Sequence, residues 1–504
     1  MASFETWGLG WNTFVVWTAV FFIYVSALAM YRLYLSPISK FPGPKLAAMT
    51  LWYEFYYDVI KTGTYMAEIK KMHEKHGPIV RISPHELHVN DPNFYEELYA
   101  GGEGNGINTR GSLATIDHDH HRLRRSAINP FFSKNNVRKL EPIIQGNVSK
   151  LMHRLERLEE TGEPVNLNII FSAFTSDIII EYAFGESQHY LDKEDFNQDF
   201  FSMMDSIHHI GAAAKQFGWL LPVVLSIPEF ITTRVDRGMA AFAKMQNTCK
   251  SKIAQIISET QTAKHKDKSI PTIFHDILSS SLPAFEKSPD RLYQEGQTFI
   301  AAGTETTAWC LTVITFYLFS NPQILIKLRG ELKQAQASTG VELEKLPYLS
   351  AVIQEGLRLS YGVCARLPRI APTESLVLRD GETVWSIPPN IPVSMSAGIQ
   401  HLDPRIFPSP LEFQPSRWLN NKSLDRYLVS FSKGSRQCAG IKLAFAELYL
   451  CLNALFGRYG GQGMQSSAKV KLWETGREDV ELDHDLFIPG IRKGSKGVRV
   501  MFGK

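Results

Sequence analysis

The segment FSKGSRQCAG, residues 431–440, places Cys438 in polar surroundings near the end of the chain. Free cysteines usually lie among apolar side chains and behave as small hydrophobes. Here Gly434, Arg436 and Gly440 flank the thiol. Positive charge and backbone N–H groups favour a thiolate, and glycine lets a bulky group approach the backbone. The segment therefore predicts a cysteine that binds a partner rather than one that packs.

The next residues, IKLAFAEL, have a helical pattern. A helix starting there would point its N–H groups and positive dipole end at the sulfur, and such hydrogen bonds tune an iron-bound thiolate. Cys438 as a ligand of haem iron, with Arg436 on a propionate, suits this arrangement. The alternative is a surface loop with an incidental cysteine. It is disfavoured because the segment combines one phenylalanine, two glycines, one arginine and one cysteine at fixed spacing.

The overall composition is that of a globular protein, with 504 residues, 44% of them hydrophobic and 21% charged, which argues against disorder. A net charge of +3 is too small to indicate nucleic-acid binding. The five cysteines are odd in number and widely spaced. They therefore predict a reducing compartment rather than a disulfide framework.

An uncharged run from Trp11 to Tyr31 lies near the N-terminus. As a helix it would be about 30 Å long, enough to cross a bilayer. Only Glu5 precedes it, whereas Arg32 and Lys40 follow it, and positive flanks face the cytosol. A cleaved signal peptide fits less well, because there is no basic segment before the run. We expect a retained anchor over residues 1–35.

The prolines and glycine of FPGPKLAA, after the anchor, predict a stiff hinge over residues 36–49. No repeat or second linker follows, so residues 50–504 are predicted to form one large domain. Within it, the apolar segment 217–231 is broken by prolines. This segment fits either the core or a surface that dips into the membrane.

Helical periodicity dominates the large domain. The main predicted helices are 137–158, 168–184, 240–259, 293–318 and 322–337. Short alternating patterns predict one hairpin over 78–90 and another over 375–387 that turns at Asp380-Gly381. The predicted fold class is mainly α with a minor β-sheet region.

Three further segments carry polar residues in unusual places. AGTETT, residues 302–307, lies inside an apolar run, where Gly303 and the threonines weaken a helix. It predicts either a satisfied polar kink or a helix that opens locally to admit dioxygen and water. Glu355 and Arg358 share a helix face, although a surface salt bridge alone would explain them. DHDHHRLRRSAINPFF, residues 117–132, fits a metal site or a solvated helix start.

These motifs together resemble the cytochrome P450 monooxygenase family. The Cys438 segment matches the haem-binding signature in full, and AGTETT, EGLR and FQPSRW (413–418) occur in the family's order. Residues 35–59 are similar to fungal microsomal members of secondary metabolism, such as trichodiene oxygenase. The resemblance covers essentially the whole chain. It implies the cytochrome P450 fold preceded by one transmembrane helix.

The resemblance also implies site residues and a haem b cofactor. The implied cofactor contacts are Cys438 as axial iron ligand, Arg436, Phe431, Gly434, Gly440, His121, Arg125 and Arg369. The family more often has tryptophan at the place of His121. Thr306 would hydrogen-bond dioxygen, and Glu305 would relay protons to it. Glu355, Arg358 and Arg417 would form a buried charge network that braces the cysteine loop.

The family further implies electrons from NADPH through a separate reductase, a location on the endoplasmic reticulum membrane with the catalytic domain in the cytosol, and a lipophilic substrate such as a terpenoid or polyketide. Candidate docking residues for the reductase are Arg122, Arg124, Lys134, Arg138 and Lys433. Candidate pocket residues are Leu113, Ile116, Ile300, Ala301, Ala302, Val363, Ala365, Phe487 and Ile488.

Two other functions stay open at this point. A haem-thiolate isomerase or dehydratase would need neither oxygen nor electrons, and a non-enzymatic haem protein would need no proton relay. The acid and alcohol side chains of Glu305 and Thr306 favour the monooxygenase.

Overall fold

The structure is a computed structural model that describes residues 3–101, 103–104, 115–228, 230–231, 234, 236–261, 272–461 and 468–503. Helices make up most of this part of the chain, and short strands form small sheets beside them. The predicted class, mainly α with a minor β-sheet region, is confirmed.

The helices are numbered here in chain order. Those of the first half are α1 (Ser3–Met30), α2 (Lys45–Met49), α3 (Trp52–Phe55), α4 (Tyr65–His76), α5 (Phe94–Gly101), α6 (His118–Ile128), α7 (Lys134–Lys139), α8 (Glu141–Thr161), α9 (Leu167–Phe184), α10 (Asp199–Gln216), α11 (Leu220–Ser226) and α12 (Arg237–Gln261). Those of the second half are α13 (Ile273–Ser279), α14 (Pro289–Ser320), α15 (Pro322–Ala335), α16 (Gly340–Leu343), α17 (Pro347–Ser360), α18 (Ala397–His401), α19 (Ser416–Asn420) and α20 (Ile441–Arg458).

The strands are short and pair in four groups among the described residues. They are β1 (Ile79–Arg81), β2 (Leu87–Val89), β3 (Glu103–Gly104), β4 (Val165–Asn166), β5 (Arg369–Ile370), β6 (Leu376–Asp380), β7 (Thr383–Ile387), β8 (Val393–Ser394), β9 (Tyr459–Gly461), β10 (Ala468–Leu472), β11 (His484–Leu486), β12 (Ile488–Gly490) and β13 (Arg499–Gly503). The largest sheet has the order β1-β2-β8-β5-β3, the next has the order β4-β13-β10-β9, and two hairpins, β6-β7 and β11-β12, stand apart.

Most predicted elements are confirmed within a few residues. Both hairpins occur, and Gly381 turns the second with a φ of 57°. The predicted helix 137–158 is instead two helices, because α7 ends at Lys139 and α8 begins at Glu141 with Pro142 in its first turn. Proline lacks the N–H that would continue α7, so it starts a new helix.

Two apolar helices, α9 and α14, form the centre of the fold and pack along each other. Both are apolar enough to span a membrane, but most of each is buried in the protein, as expected of helices that are hydrophobic on all sides. Gly303 allows their close approach, because a Cβ there would lie 2.7 Å from Ile179 Cγ1. The predicted local opening at residues 302–307 is wrong: α14 is continuous through them.

The N-terminal helix has a different environment. The candidate membrane span Thr13–Leu35 is not buried against the rest of the protein. An apolar, unburied helix at this end fits the predicted single anchor. After it, α2 occupies part of the predicted hinge, so residues 36–49 are only partly non-helical.

The described side chains of the apolar segment 217–231 lie outside the core. Trp219 is 64% exposed and Phe230 is 63% exposed. Phe217 packs against Trp52 and Phe55, with ring centroids 5.7 and 5.5 Å apart. The segment therefore adjoins the helices that follow the anchor, and the core alternative is wrong. Its prolines limit it to short pieces that bury little apolar surface.

Gly356 on α17 marks a close crossing with α14. A Cβ at this position would overlap Cγ1 of Ile314. We expect Gly356→Ala to lower the free energy of unfolding by about 1–3 kcal/mol through overpacking, although alanine favours helices. Chemical denaturation of the detergent-solubilised holoprotein would measure this.

Two controls separate the packing effect from helix propensity. In the Ile314→Ala background the clash is absent, so Gly356→Ala should cost nothing further. Gly330 on α15 has no heavy atom within 4 Å of a built Cβ, so Gly330→Ala should stabilise by up to about 1 kcal/mol. Equal destabilisation at both glycines would contradict the close crossing.

Candidate active site

Cys438 lies in a tight loop that leads into α20. Its backbone N–H donates to the carbonyl oxygen of Phe431 at 2.9 Å, and Gly434 has a φ of 73°, which favours glycine. Gly440 is the N-cap of α20. All five cysteines are described, and Cys438 alone is exposed while the others are buried. The loop thus presents an accessible thiol at a helix N-terminus.

Protein groups alone do not favour a thiolate at Cys438. Protein atoms around the sulfur desolvate it, and this desolvation raises the pKa of Cys438, while the Gly440 N–H and the charge of Arg125 lower it by less. The protein by itself therefore favours the neutral thiol. A coordinated metal ion would reverse this, because coordination deprotonates a thiol.

Basic side chains from separate parts of the chain converge near the loop. Arg125 donates to the carbonyl oxygen that precedes Cys438, at 3.0 Å, and Arg436 donates to two carbonyl oxygens just before α6. His121 is buried on α6. Burial and the positive charges nearby, including those of Arg436, Arg125 and Arg369, together lower its pKa to about 4.

This cluster fits an acidic cofactor. The Nε atoms of Arg125 and Arg369 are buried and have no hydrogen-bond partner in the described part of the chain. Burial also lowers the pKa of both guanidinium groups, as happens when cations leave water without full compensation. Two carboxylate groups held beside the thiol would supply that compensation, and haem carries two propionates.

Glu305 and Thr306 lie together on α14. Burial raises the pKa of Glu305 to about 8, so the carboxyl group is mostly neutral at pH 7. The Thr306 hydroxyl donates to the Ala302 carbonyl oxygen at 2.9 Å within the helix. Opposite them, His208 on α10 places its Nε2 3.6 Å from Glu305 Oε2. An acid and an alcohol are thus side by side, with the acid in its proton-carrying form.

The charged residues of the EGLR and FQPSRW segments meet in the interior. Arg358 donates to both oxygens of Glu355 at 2.8 and 2.9 Å, and Arg417 Nε donates to the same carboxylate at 3.1 Å. Trp418 Nε1 adds a bond of 2.8 Å. Glu355 and Arg358 are fully buried. The alternative of a surface salt bridge is therefore wrong for Glu355 and Arg358.

The Cytochrome P450 family model matches residues 42–471. The chain belongs to the cytochrome P450 family. It is a monooxygenase, an oxidoreductase that incorporates molecular oxygen, with haem b as its cofactor and electrons from a separate redox partner.

Curated relatives of this cytochrome P450 are fungal. It is 42% identical to "Cytochrome P450 monooxygenase tpcC" of Cochliobolus heterostrophus, over 95% of this chain and 94% of the relative. It is 40% identical to "N-acetyltryptophan 6-hydroxylase ivoC" of Emericella nidulans, over 100% and 98%. It is 39% identical to "Tryptophan 6-hydroxylase fscE" of Fusarium equiseti, over 95% of each chain. The similarity to fungal secondary-metabolism members predicted from residues 35–59 is confirmed.

The predicted pocket residues of this cytochrome P450 do not all share one place. Leu113 lies outside the described residues. The Ala365 N–H donates to the Phe487 carbonyl oxygen at 3.4 Å, which brings two predicted walls together. Ile300 belongs to the main hydrophobic core, whereas Ile116 is exposed. The remaining predicted residues are Ala301, Ala302, Val363 and Ile488, and none of these four is fully buried.

The predicted docking residues differ in their exposure. Arg124 is buried, and its Nε lies 2.9 Å from Glu286 Oε2, so its place on a docking face is wrong. Arg122, two residues earlier on the same helix, is exposed. Lys134 pairs with Glu344 at 2.6 Å, and the remaining two are exposed Arg138 and half-buried Lys433. The helical spacing explains the difference, since residues two positions apart on α6 lie about 200° apart around the helix axis.

Sequence reasoning missed three contributors. Trp418 was part of a motif but had no assigned role. His401 links the Arg358 carbonyl oxygen to the Val429 N–H, at 2.9 Å each. His208 is far from Glu305 in sequence. A single histidine inside an ordinary helical pattern carries no signal until the helices pack together.

The raised pKa of Glu305 predicts a pH effect on stability. The folded-state pKa of about 8 exceeds the reference value of 4.5, so between these values the native state binds more protons than the unfolded state. Stability therefore falls as pH rises through this window, by up to about 1.4 kcal/mol per pH unit. We expect Glu305→Gln to remove this loss in denaturation curves taken across the window.

The exposed carboxylate of Glu97 provides a matched control. Glu97→Gln should leave the pH dependence of the unfolding free energy as in the wild type. If Glu305→Gln and the wild type have parallel pH profiles, then Glu305 is ionised at neutral pH and cannot act as a proton donor there.

Proposed function

We propose that this protein is a membrane-anchored cytochrome P450 that oxidises a lipophilic secondary metabolite, with Cys438 as the axial ligand of its haem iron. The observation that carries the assignment of Cys438 is its exposure at the N-terminus of α20, beside Arg125 and Arg369, whose buried Nε atoms have no hydrogen-bond partner among the described residues. Arg125, Arg369, Arg436 and His121 would hold the haem propionates. Phe431, Gly434 and Gly440 would shape the loop.

The haem, when bound, supplies dioxygen activation and insertion of one oxygen atom into the substrate. The protein's own residues do the rest. The Gly440 N–H and Arg125 stabilise negative charge on the Cys438 sulfur. Glu305, neutral at pH 7, can give a proton to the oxygen site. For the Thr306 hydroxyl to pass that proton on, it must release its bond to the Ala302 carbonyl oxygen.

The brace formed by Glu355, Arg358 and Arg417 has a structural role in this proposal. It would hold the segment before the cysteine in place, so that the sulfur stays aligned without rearrangement. Its one buried carboxylate bonds both guanidinium groups, so none of the three groups is available for the reaction.

The proposed substrate is lipophilic, such as a terpenoid or polyketide. The pairing of Ala365 with Phe487 places apolar residues together. Arg366, next to Ala365, bonds the carboxylates of Glu54 and Glu86 and so offers no free charge to a substrate. Tryptophan and N-acetyltryptophan, which appear in the names of two relatives, are suitable additional probes.

The anchor proposal assigns residues 1–35 to the membrane, 36–49 to a connecting segment and 50–504 to the catalytic domain, which would face the cytosol from the endoplasmic reticulum. The exposed apolar side chains of the span Thr13–Leu35 support the anchor. Trp52 and Trp219, also exposed, lie next to one another through Phe217 and would rest on the same membrane surface.

The proposed electron donor is an NADPH–cytochrome reductase of the same membrane. Its docking face would include exposed Arg122, Arg138 and Lys442. Arg138 and Lys442 line a groove of about 230 Å³ between α7 and α20 with an apolar side formed partly by Phe445. Because α20 begins at the Cys438 loop, this groove offers a short route to the haem.

The assignment of the iron ligand makes a spectroscopic prediction. The reduced protein under carbon monoxide should show the red-shifted Soret band of thiolate ligation, and Cys438→Ala should lose it and lose turnover. Cys451→Ala, at a buried cysteine of α20, is the matched control and should keep the band. Product formed without NADPH would favour an isomerase or dehydratase instead.

The docking face is tested without a known substrate. The rate at which reductase and NADPH generate the carbon monoxide complex should fall about tenfold in Arg138→Glu/Lys442→Glu, and its dependence on salt should weaken. Lys471→Glu, at an exposed lysine of β10, should have no effect. Reduction by dithionite should be equally complete in all variants, and an unchanged rate in the double variant would remove this face from the proposal.

A further inference from the structure

A side chain from a second helix faces Glu305. His208 Nε2 on α10 lies 3.6 Å from Glu305 Oε2 on α14. The two side chains are 12% and 15% exposed. Among the described residues, this is the one ion-pair contact within 4 Å that Glu305 makes. In the described part of the chain, the carboxyl group proposed to deliver protons thus has one basic side chain within 4 Å.

Both groups are neutral at pH 7. Burial raises the pKa of Glu305 to about 8 and lowers that of His208 to about 4. The other charged groups that act on His208 are on its own helix: Asp205 raises its pKa and His209 lowers it. A neutral carboxyl group can donate a hydrogen bond to a neutral imidazole without the desolvation cost of a buried ion pair. The present separation exceeds hydrogen-bond length by less than about 1 Å.

The position of His208 is set by a second contact of α10. Lys215 follows it by seven residues and therefore lies on a similar helix face. Lys215 Nζ is 2.7 Å from Glu54 Oε1 and 3.1 Å from Asp58 Oδ2. These ion pairs attach the end of α10 to the region after the anchor. The helix is thereby held with His208 over Glu305.

We propose that His208 is a positioning residue for Glu305 and carries solvent protons to it. This inference rests on the proposed role of Glu305. After Glu305 releases its carboxyl proton towards the oxygen site, His208 takes one proton from water and becomes an imidazolium beside the carboxylate. It then gives the Nε2 proton to Glu305 Oε2. One solvent proton enters for each proton delivered, and both side chains return to their neutral forms.

The contact can be tested independently of turnover. The infrared carbonyl band of a protonated carboxyl group at pH 7 should be present in purified protein and absent in Glu305→Gln. His208→Leu should shift that band, because the imidazole no longer meets the carboxyl group, whereas His208→Gln should shift it less. His209→Gln, an exposed neighbour on the same helix, should not move it. A band unmoved in His208→Leu overturns the proposal.

The proton supply is tested by the reaction of holoenzyme, reductase, NADPH and dioxygen without added substrate. His208→Gln can position Glu305 but cannot carry a proton, so NADPH consumption should slow about tenfold, and the hydrogen peroxide released per NADPH should rise about twofold or more. His209→Gln should behave as the wild type. Wild-type values for both quantities in His208→Gln overturn the proposal.

These results can be separated from a failure of the proposed function. If the wild type lacks the thiolate Soret band or consumes no NADPH with reductase, the proposed function is wrong, while the infrared result still decides the contact. The carbon monoxide spectrum of each variant reports an intact haem pocket. Should His208→Leu fail to fold, His208→Gln and His208→Asn still provide both measurements.

Discussion

The buried carboxylate of Glu355 holds together the part of the chain that leads to the Cys438 loop. It accepts hydrogen bonds from Arg358, Arg417, Trp418 and a backbone N–H before α19. These donors come from separate segments, which the single carboxylate therefore fastens to each other. Replacing Glu355 would leave buried guanidinium charge without its counter-charge, at a cost of about 3–5 kcal/mol. The geometry of the rest of the site therefore depends on the brace.

The brace reaches the cysteine loop through His401. Its imidazole donates to the Arg358 carbonyl oxygen and accepts from the Val429 N–H, and this pair of bonds requires one tautomer of a neutral ring. Burial and the charge of Arg358 lower the pKa of His401 to about 3, so the ring stays neutral over the physiological range. Val429 lies two residues before Phe431, where the loop begins.

Protein groups alone do not balance the charges at the site. The thiol of Cys438 is held neutral by desolvation, and the nearby guanidinium groups of Arg125 and Arg369 lose more solvation than their contacts restore. Under the proposed assignment, haem iron would supply positive charge at the sulfur and the two propionates would supply negative charge at the guanidinium groups. The carboxyl group of Glu305 also stays protonated at neutral pH, because burial raises its pKa.

The sequence by itself determined the fold class, most helix positions, the apolar N-terminal helix and the family. These follow from local patterns: helical periodicity, proline and glycine positions, and the motif around Cys438. The tertiary structure alone decided that Arg124 is buried while Arg122 is exposed, that Gly303 serves helix packing, and that His208 meets Glu305. The reason is that burial and long-range contacts set charge states and neighbours, and both depend on how distant helices pack.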